Sequence, residues 1–123
     1  MAEILRIPSF TDSRGTLSVL EKVVPFDIKR VYYIYNVPSV EIIRGGHRHK
    51  KTRQALICIN GYCTIRNNDG TKKQEFVLDT ADKCLIINEI DWHEMTKFSS
   101  NAILLVLASE NYDVDDYIDE PYR

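Results

Sequence analysis

Short runs of β-branched and aromatic residues recur about every ten residues along the whole chain, and no helical period competes with them. The runs read as strands over 16–21, 29–35, 54–60, 62–66, 73–78, 85–88, 93–98 and 102–107. Turn-forming residues separate them. Asn60-Gly61 reads as a two-residue hairpin, Asn67 to Thr71 as a second tight turn, and Ser99-Ser100-Asn101 as a third. Many short strands at even spacing predict an all-β sandwich or barrel. The continuous apolar stretches 85–87 and 102–108 read as strands at the centre of the core. The tail from Glu110 is acidic and carries three tyrosines, and reads as a short helix or a loop packed by those rings. Its acids between Asp113 and Glu120 read as a solvated surface.

At 123 residues the chain predicts one domain, 1–123. With 44% apolar and 28% charged residues it can build a core without staples. The net charge of −2 gives no reason to expect nucleic acid or a membrane surface as partner. Cys58, Cys63 and Cys84 are odd in number and lack CxxC spacing, so they read as small buried hydrophobes rather than a disulfide frame or zinc site. The first 25 residues are broken by charges, and no apolar run approaches a membrane span of roughly 20 residues. The expectation is a soluble, cytoplasmic protein.

The densest chemistry lies in Arg44-Gly45-Gly46-His47-Arg48-His49-Lys50-Lys51. On a strand, His47 and His49 share one face. Neighbouring cations lower imidazole pKa values, and a neutral imidazole can act as a base. The bland alternative is a pair of solvated histidines in a basic loop. Gln54, Gly61 and the later His93 continue a spacing that matches a cupin, a small β-barrel of jelly-roll type. Metal-binding cupins hold a first-row ion with three histidines and a carboxylate. Gln54 stands at the carboxylate position and is a neutral, weak ligand, so no metal and no other cofactor is expected. No glycine-rich phosphate loop or dinucleotide fingerprint is present.

Four ordered segments extend the match. They are Asp12-Ser13-Arg14-Gly15-Thr16-Leu17, Arg30-Val31-Tyr32-Tyr33-Ile34-Tyr35, the histidine segment, and Trp92-His93-Glu94-Met95 with Phe98-Ser99. Val106-Leu107-Ala108-Ser109, Tyr112-Asp113 and Asp116-Tyr117-Ile118 follow near the C-terminus. In order and spacing the chain resembles the cupin-type nucleotide-sugar 3,4-ketoisomerases, which act on dTDP-4-keto-6-deoxyglucose. It departs from them at Arg48, where alanine is usual, and at Cys84 and Glu89, where a glycine and a proline commonly precede the Trp-His pair in a turn.

The resemblance implies a homodimer without cofactor that moves a ketone from C4 to C3 of a dTDP-linked 4-keto-6-deoxyhexose, in deoxysugar biosynthesis for surface glycans. It implies His49 as the base and His47 as its partner. Tyr35 would shuttle protons, and Arg14 would donate to the sugar or its oxyanion. For binding it leaves Arg44 for the diphosphate, Tyr33 for thymine, and Gln54, Trp92 and His93 around the sugar. Single tyrosines and a lone tryptophan serve as packing residues equally well. Two other readings remain open: a metal-dependent cupin enzyme, and a non-catalytic sugar-nucleotide binding module.

Overall fold

The computed structural model describes residues 2–123. Twelve strands follow one another: β1 Glu3–Arg6, β2 Ser9–Asp12, β3 Gly15–Ser18, β4 Arg30–Tyr35, β5 Arg44–His49, β6 Gln54–Asn60, β7 Cys63–Asn68, β8 Lys73–Leu78, β9 Lys83–Ile87, β10 Trp92–Thr96, β11 Ile103–Ala108 and β12 Tyr117–Ile118. The described residues form no α-helix, only a 3-10 turn over Val114–Asp116. The all-β expectation therefore holds. Strands β1-β9-β6-β11-β4 form one antiparallel sheet and β12-β5-β10-β7-β8 a second, while β2 and β3 pair as a separate hairpin.

The two sheets close on one apolar core. Leu56 and Cys58 of β6, Leu85 and Ile87 of β9 and Leu104 and Val106 of β11 face Cys63 and Ile65 of β7, Leu78 of β8 and Met95 of β10, with Phe98 between them. Alternation explains the set, since every second residue of a strand faces the same side. The stretch 85–87 is buried throughout because its second face is covered too. Ile86 and Cys84 pack there with Ile7, Ala55, Ile57 and Leu107. All three cysteines are free and buried, as small hydrophobes.

Three expectations need correction. Asn60-Gly61 is not a hairpin: β6 and β7 lie in different sheets, and the dipeptide turns the corner between them. Gly61 has φ +68°, and a Cβ there would come within 2.9 Å of Ala102 Cα, so glycine serves a corner as well as it would serve a tight hairpin. Cys84 lies inside β9 rather than in a turn. The tail acids are not uniformly solvated, because Asp116 is buried. The turn from Asn67 to Thr71 does join a hairpin, β7 with β8, and Asp69 accepts from the Thr71 and Lys72 amides within it.

Candidate active site

The two histidines of β5 and the histidine of β10 meet on the inner face of the second sheet. His47 stands directly opposite His93, and the register then slips so that Glu94 faces Gly45. The slip is a bulge made by Gly45 and Gly46, at φ +80° and +81°. A Cβ on Gly45 would sit 3.1 Å from the His93 carbonyl oxygen, so the glycine at position 45 is what allows β5 to approach β10 this closely. Ring centroids of His47 lie 5.1 Å from both His49 and His93.

The three imidazoles have different partners. His49 is 3% exposed, and its Nδ1 donates to Asp116 Oδ2 at 2.8 Å. A carboxylate only accepts, so Nδ1 carries the proton and Nε2 keeps its lone pair. Asp116 also accepts from the Thr52 hydroxyl and from the Lys51 amide. Burial pushes the Asp116 carboxyl up, but these hydrogen bonds outweigh it and hold the group below the ordinary carboxylate value. Burial lowers the His49 pKa against the pull of Asp116, so the pair reads as a neutral imidazole on a carboxylate. His93 is fully buried and donates Nδ1 to the Asp91 carbonyl at 3.1 Å; burial lowers it to about 3. His47 is lowered to about 4 by burial and then by its neighbour His49. All three are neutral at pH 7.

A cavity of about 280 Å³ opens over this cluster, lined by Arg30, Tyr32, Ile34, Arg44, Gly45, His47, Met95 and Tyr117. Among the described residues no acidic side chain lines it, and Asp119, outside the lining, acts on His47 from a distance. His47 faces the cavity, while His49 stands behind it. The Tyr32 hydroxyl accepts from Gln54 Nε2 at 2.9 Å, which leaves its own O–H free to point elsewhere. Burial raises the Tyr32 pKa, so the phenol stays protonated. The Arg30 guanidinium stacks over Tyr32 at 4.8 Å. The Tyr117 ring packs edge-on against His47 and His49, 4.7 Å from each.

The structure thus brings together five of the nine residues singled out from sequence: His47, His49, His93, Gln54 and Arg44. It places four elsewhere. Tyr33 and Tyr35 lie on the outer face of β4, exposed and packed on each other at 5.6 Å. Strand alternation turns Tyr32 inward and its neighbours outward. Trp92 faces away from His93, for the same reason. Arg14 sits at the tip of the β2–β3 hairpin, with its guanidinium 2.7 Å from Asp12 and almost fully exposed. Sequence reasoning missed Tyr32, Arg30, Asp116 and Tyr117. Residue parity relative to Ile34, which packs partly buried against the core, could have found the first two, while Asp116 and Tyr117 lie in a tail whose path no local pattern specifies.

The donor set also bears on a metal. The ligand atoms of His47, His49 and His93 all lie within 4.8 Å of one another, a spacing three imidazoles could use to hold a first-row divalent ion. The fourth cupin position, Gln54, would offer only a neutral amide oxygen, which is buried and without a partner. Four neutral donors make a weaker site than three imidazoles and a carboxylate. The residues fit a metal in part.

Fold and site define a cupin-type jelly roll with a three-histidine cluster beneath a pocket fringed by arginine and tyrosine. Comparison with known proteins narrows this. Residues 1–123 match the family described as FdtA: WxcM-like, C-terminal, and the chain belongs to that family. It is 44% identical over 118 residues to a TDP-4-oxo-6-deoxy-α-D-glucose-3,4-oxoisomerase from Aneurinibacillus thermoaerophilus, covering 94% of this chain and 84% of the relative. A 3,4-ketoisomerase from Helicobacter canadensis superposes with a TM-score of 0.92 at 41% identity, over 97% of this chain and 90% of that one. A mutant 3,4-ketoisomerase from Thermoanaerobacterium thermosaccharolyticum, solved with TDP-4-keto-6-deoxyglucose, gives 0.92 at 40% identity, covering 97% and 87%. A dTDP-4-dehydrorhamnose 3,5-epimerase from Bacillus anthracis shares the fold at 17% identity, with a TM-score of 0.82 over 94% and 76% of the two chains.

Proposed function

We propose that this chain, acting as one domain, is an isomerase that moves the ketone of a dTDP-linked 4-keto-6-deoxyglucose from C4 to C3. The observation that carries the reading is the cavity itself: a neutral imidazole, a protonated phenol and two guanidinium groups converge there with no acid among them. Family membership and the 3,4-ketoisomerase relatives support the same reaction.

The chemistry needs one C–H proton removed at C3 and one delivered at C4, with the O–H proton moved in the same direction, from O3 to O4. His47 is placed to take the C3 proton, because it is the cavity-lining histidine of β5. The electron pair moves onto the C4 carbonyl oxygen and gives an enediolate. Arg30 and Arg44 supply positive charge for that oxyanion and for the diphosphate, which favours guanidinium forks. The Tyr32 hydroxyl gives a proton to O4 and receives the one leaving O3, and protonated His47, after exchange of its proton with solvent, protonates C4 as the C3 ketone forms. Tyr32 thereby takes the role the resemblance gave to Tyr35. His49 is the positioning group behind His47, fixed in one tautomer by Asp116. His93 forms the floor, and Gln54 orients Tyr32.

No step is routed through a metal. A metal-dependent reading keeps one supporting observation, the three-histidine donor set, and chelation separates the two. Isomerisation that survives a strong chelator, with no metal retained, fits the proposal, and activity restored only by added metal contradicts it.

The proposed substrate belongs to deoxysugar biosynthesis, and the proposal extends to a cytoplasmic protein that serves surface glycans such as lipopolysaccharide O-antigen. No helix among the described residues is long and apolar enough to cross a membrane. A homodimer is part of the proposal. Strand β4 is a sheet edge, its outer face exposes Val31, Tyr33 and Tyr35, and the β2–β3 hairpin exposes Phe10 and Leu17.

The test is turnover of dTDP-4-keto-6-deoxyglucose by the wild type and by His47→Asn and His49→Asn. His47→Asn should lose activity by at least about 10³-fold, and His49→Asn by about 10- to 100-fold. The reverse order would return the base to His49. Binding of the nucleotide sugar without turnover by the wild type would leave a binding module.

A further inference from the structure

Trp92 and Arg48, set apart by the sequence and unused by the reaction, lie on the opposite face of the same sheet, Trp92 in the lining of a cavity and Arg48 against the Tyr122 ring that walls it. There the structure holds a larger cavity, about 450 Å³, lined by Arg66, Asn67, Asn68, Lys73, Gln74, Glu75, Trp92, Glu94, Pro121 and Tyr122. Register explains how its floor is built. Trp92 pairs with Asn68 and Asn68 with Lys73; Glu94 pairs with Arg66 and Arg66 with Glu75. Two rows of side chains therefore cross β10, β7 and β8 on the outer face.

The wall is the C-terminal segment. The Tyr122 hydroxyl donates to the Ile90 carbonyl at 2.7 Å, and the Arg48 guanidinium lies 4.5 Å from the ring centroid. Gly70 completes the seat, since a Cβ there would come within 3.2 Å of the Tyr122 ring. The wall is held at three points, so the cavity is preformed rather than opened by a ligand.

We propose that this outer cavity is a second binding site, for a neutral saccharide. Its aromatic side chains offer faces for the C–H side of a pyranose ring. Two cations, two carboxylates and the side-chain amide of Asn68 offer the donors and acceptors that hydroxyl groups need. The indole Nε1 of Trp92 is buried without a hydrogen-bond partner, a group that a ligand hydroxyl would satisfy with a small adjustment. Charge selects the class. Among the lining residues Arg66 and Lys73 are balanced by Glu75 and Glu94, and Arg48 stays out of the lining on the Tyr122 ring, whereas the lining of the histidine cavity carries two arginines and no acid. A nucleotide diphosphate suits the inner cavity and an uncharged sugar the outer one. The inference does not depend on the isomerase reading.

Trp92 is the one tryptophan of the chain, so intrinsic fluorescence reports this cavity directly. The experiment titrates the full chain with methyl α-glucoside, methyl α-galactoside and maltotriose, with dTDP as the anionic probe. At least one neutral sugar should shift the emission saturably, with Kd on the order of 1 mM. Arg66→Gln and Glu94→Gln, checked for unchanged circular dichroism, should each weaken the response about tenfold, while a His47→Asn control should not. Three results would overturn the proposal. One is no saturable response to any of the three sugars at about 50 mM. Another is a response unaltered in both outer-face variants. The last is a dTDP response that Arg66→Gln and Glu94→Gln remove, which would make the cavity an anion site.

Discussion

His47 and His49 share one strand face but not one environment. His49 is enclosed and hydrogen-bonded to a carboxylate, while His47 looks into the cavity. The sequence shows the pair and cannot rank its members, because solvent access depends on which strands lie above β5. The tyrosines teach the same lesson. Arg30-Val31-Tyr32-Tyr33-Ile34-Tyr35 holds aromatic rings at both parities, so the run alone does not say which face is buried. The structure buries the parity of Tyr32 and Ile34. Tyr32→Phe should therefore lower kcat by about 10²-fold with little change in KM, since it removes a proton carrier and keeps the ring. Tyr35→Phe should stay within about twofold in the same steady-state assay. A large kcat loss in Tyr35→Phe would move the proton carrier to the outer face of β4.

At the scale of elements, most central strands were legible, and β6 and β8 have the boundaries their residue pattern predicts. Connectivity was less so. Asn60-Gly61 satisfies hairpin chemistry and yet turns a corner between sheets, since turn residues constrain the local bend and not the destination of the next strand. Gly61→Ala should cost about 2 kcal/mol or more, read by denaturant unfolding, because the backbone is left-handed there and the space is filled. The C-terminal segment was the least legible. Asp113, Asp115, Asp116 and Asp119 look alike in sequence, but only Asp116 is carried by the 3-10 turn to the Thr52 hydroxyl and the Lys51 amide. Its order comes from those distant groups. Asp116→Asn should lower kcat by at least about tenfold, because the amide can present an NH to His49 and reverse the tautomer. It should also shift the kcat pH profile, whereas a merely structural loss would lower the amplitude and leave the profile in place.

The molecule as a whole carries its histidines neutral. His93 and His47 are held at about 3 and about 4, below the ordinary 6.5. Between pH 6.5 and those values the unfolded chain binds protons that the folded chain does not. Stability is therefore full above pH 6.5 and falls as pH drops toward 4 and then 3. Thermal unfolding should show a lower Tm at pH 5 than at pH 7.5, and a Tm that rose on acidification would contradict the burial described here. The same depression sets the activity limb. For the free enzyme, kcat/KM should stay level from pH 8 to 6 and decline only toward pH 4. A bound diphosphate adds negative charge near His47, so the kcat limb should lie higher.

In the proposed reaction His47 moves a proton between the carbons of a nucleotide-linked keto sugar. An NMR time course of the purified protein with dTDP-4-keto-6-deoxyglucose in deuterium oxide tests it most directly, with His47→Asn run beside the wild type. A 3-keto sugar bearing deuterium at C4 should form with the wild type and not with the variant. An unchanged sugar spectrum in the wild type, or equal turnover by His47→Asn, would contradict it.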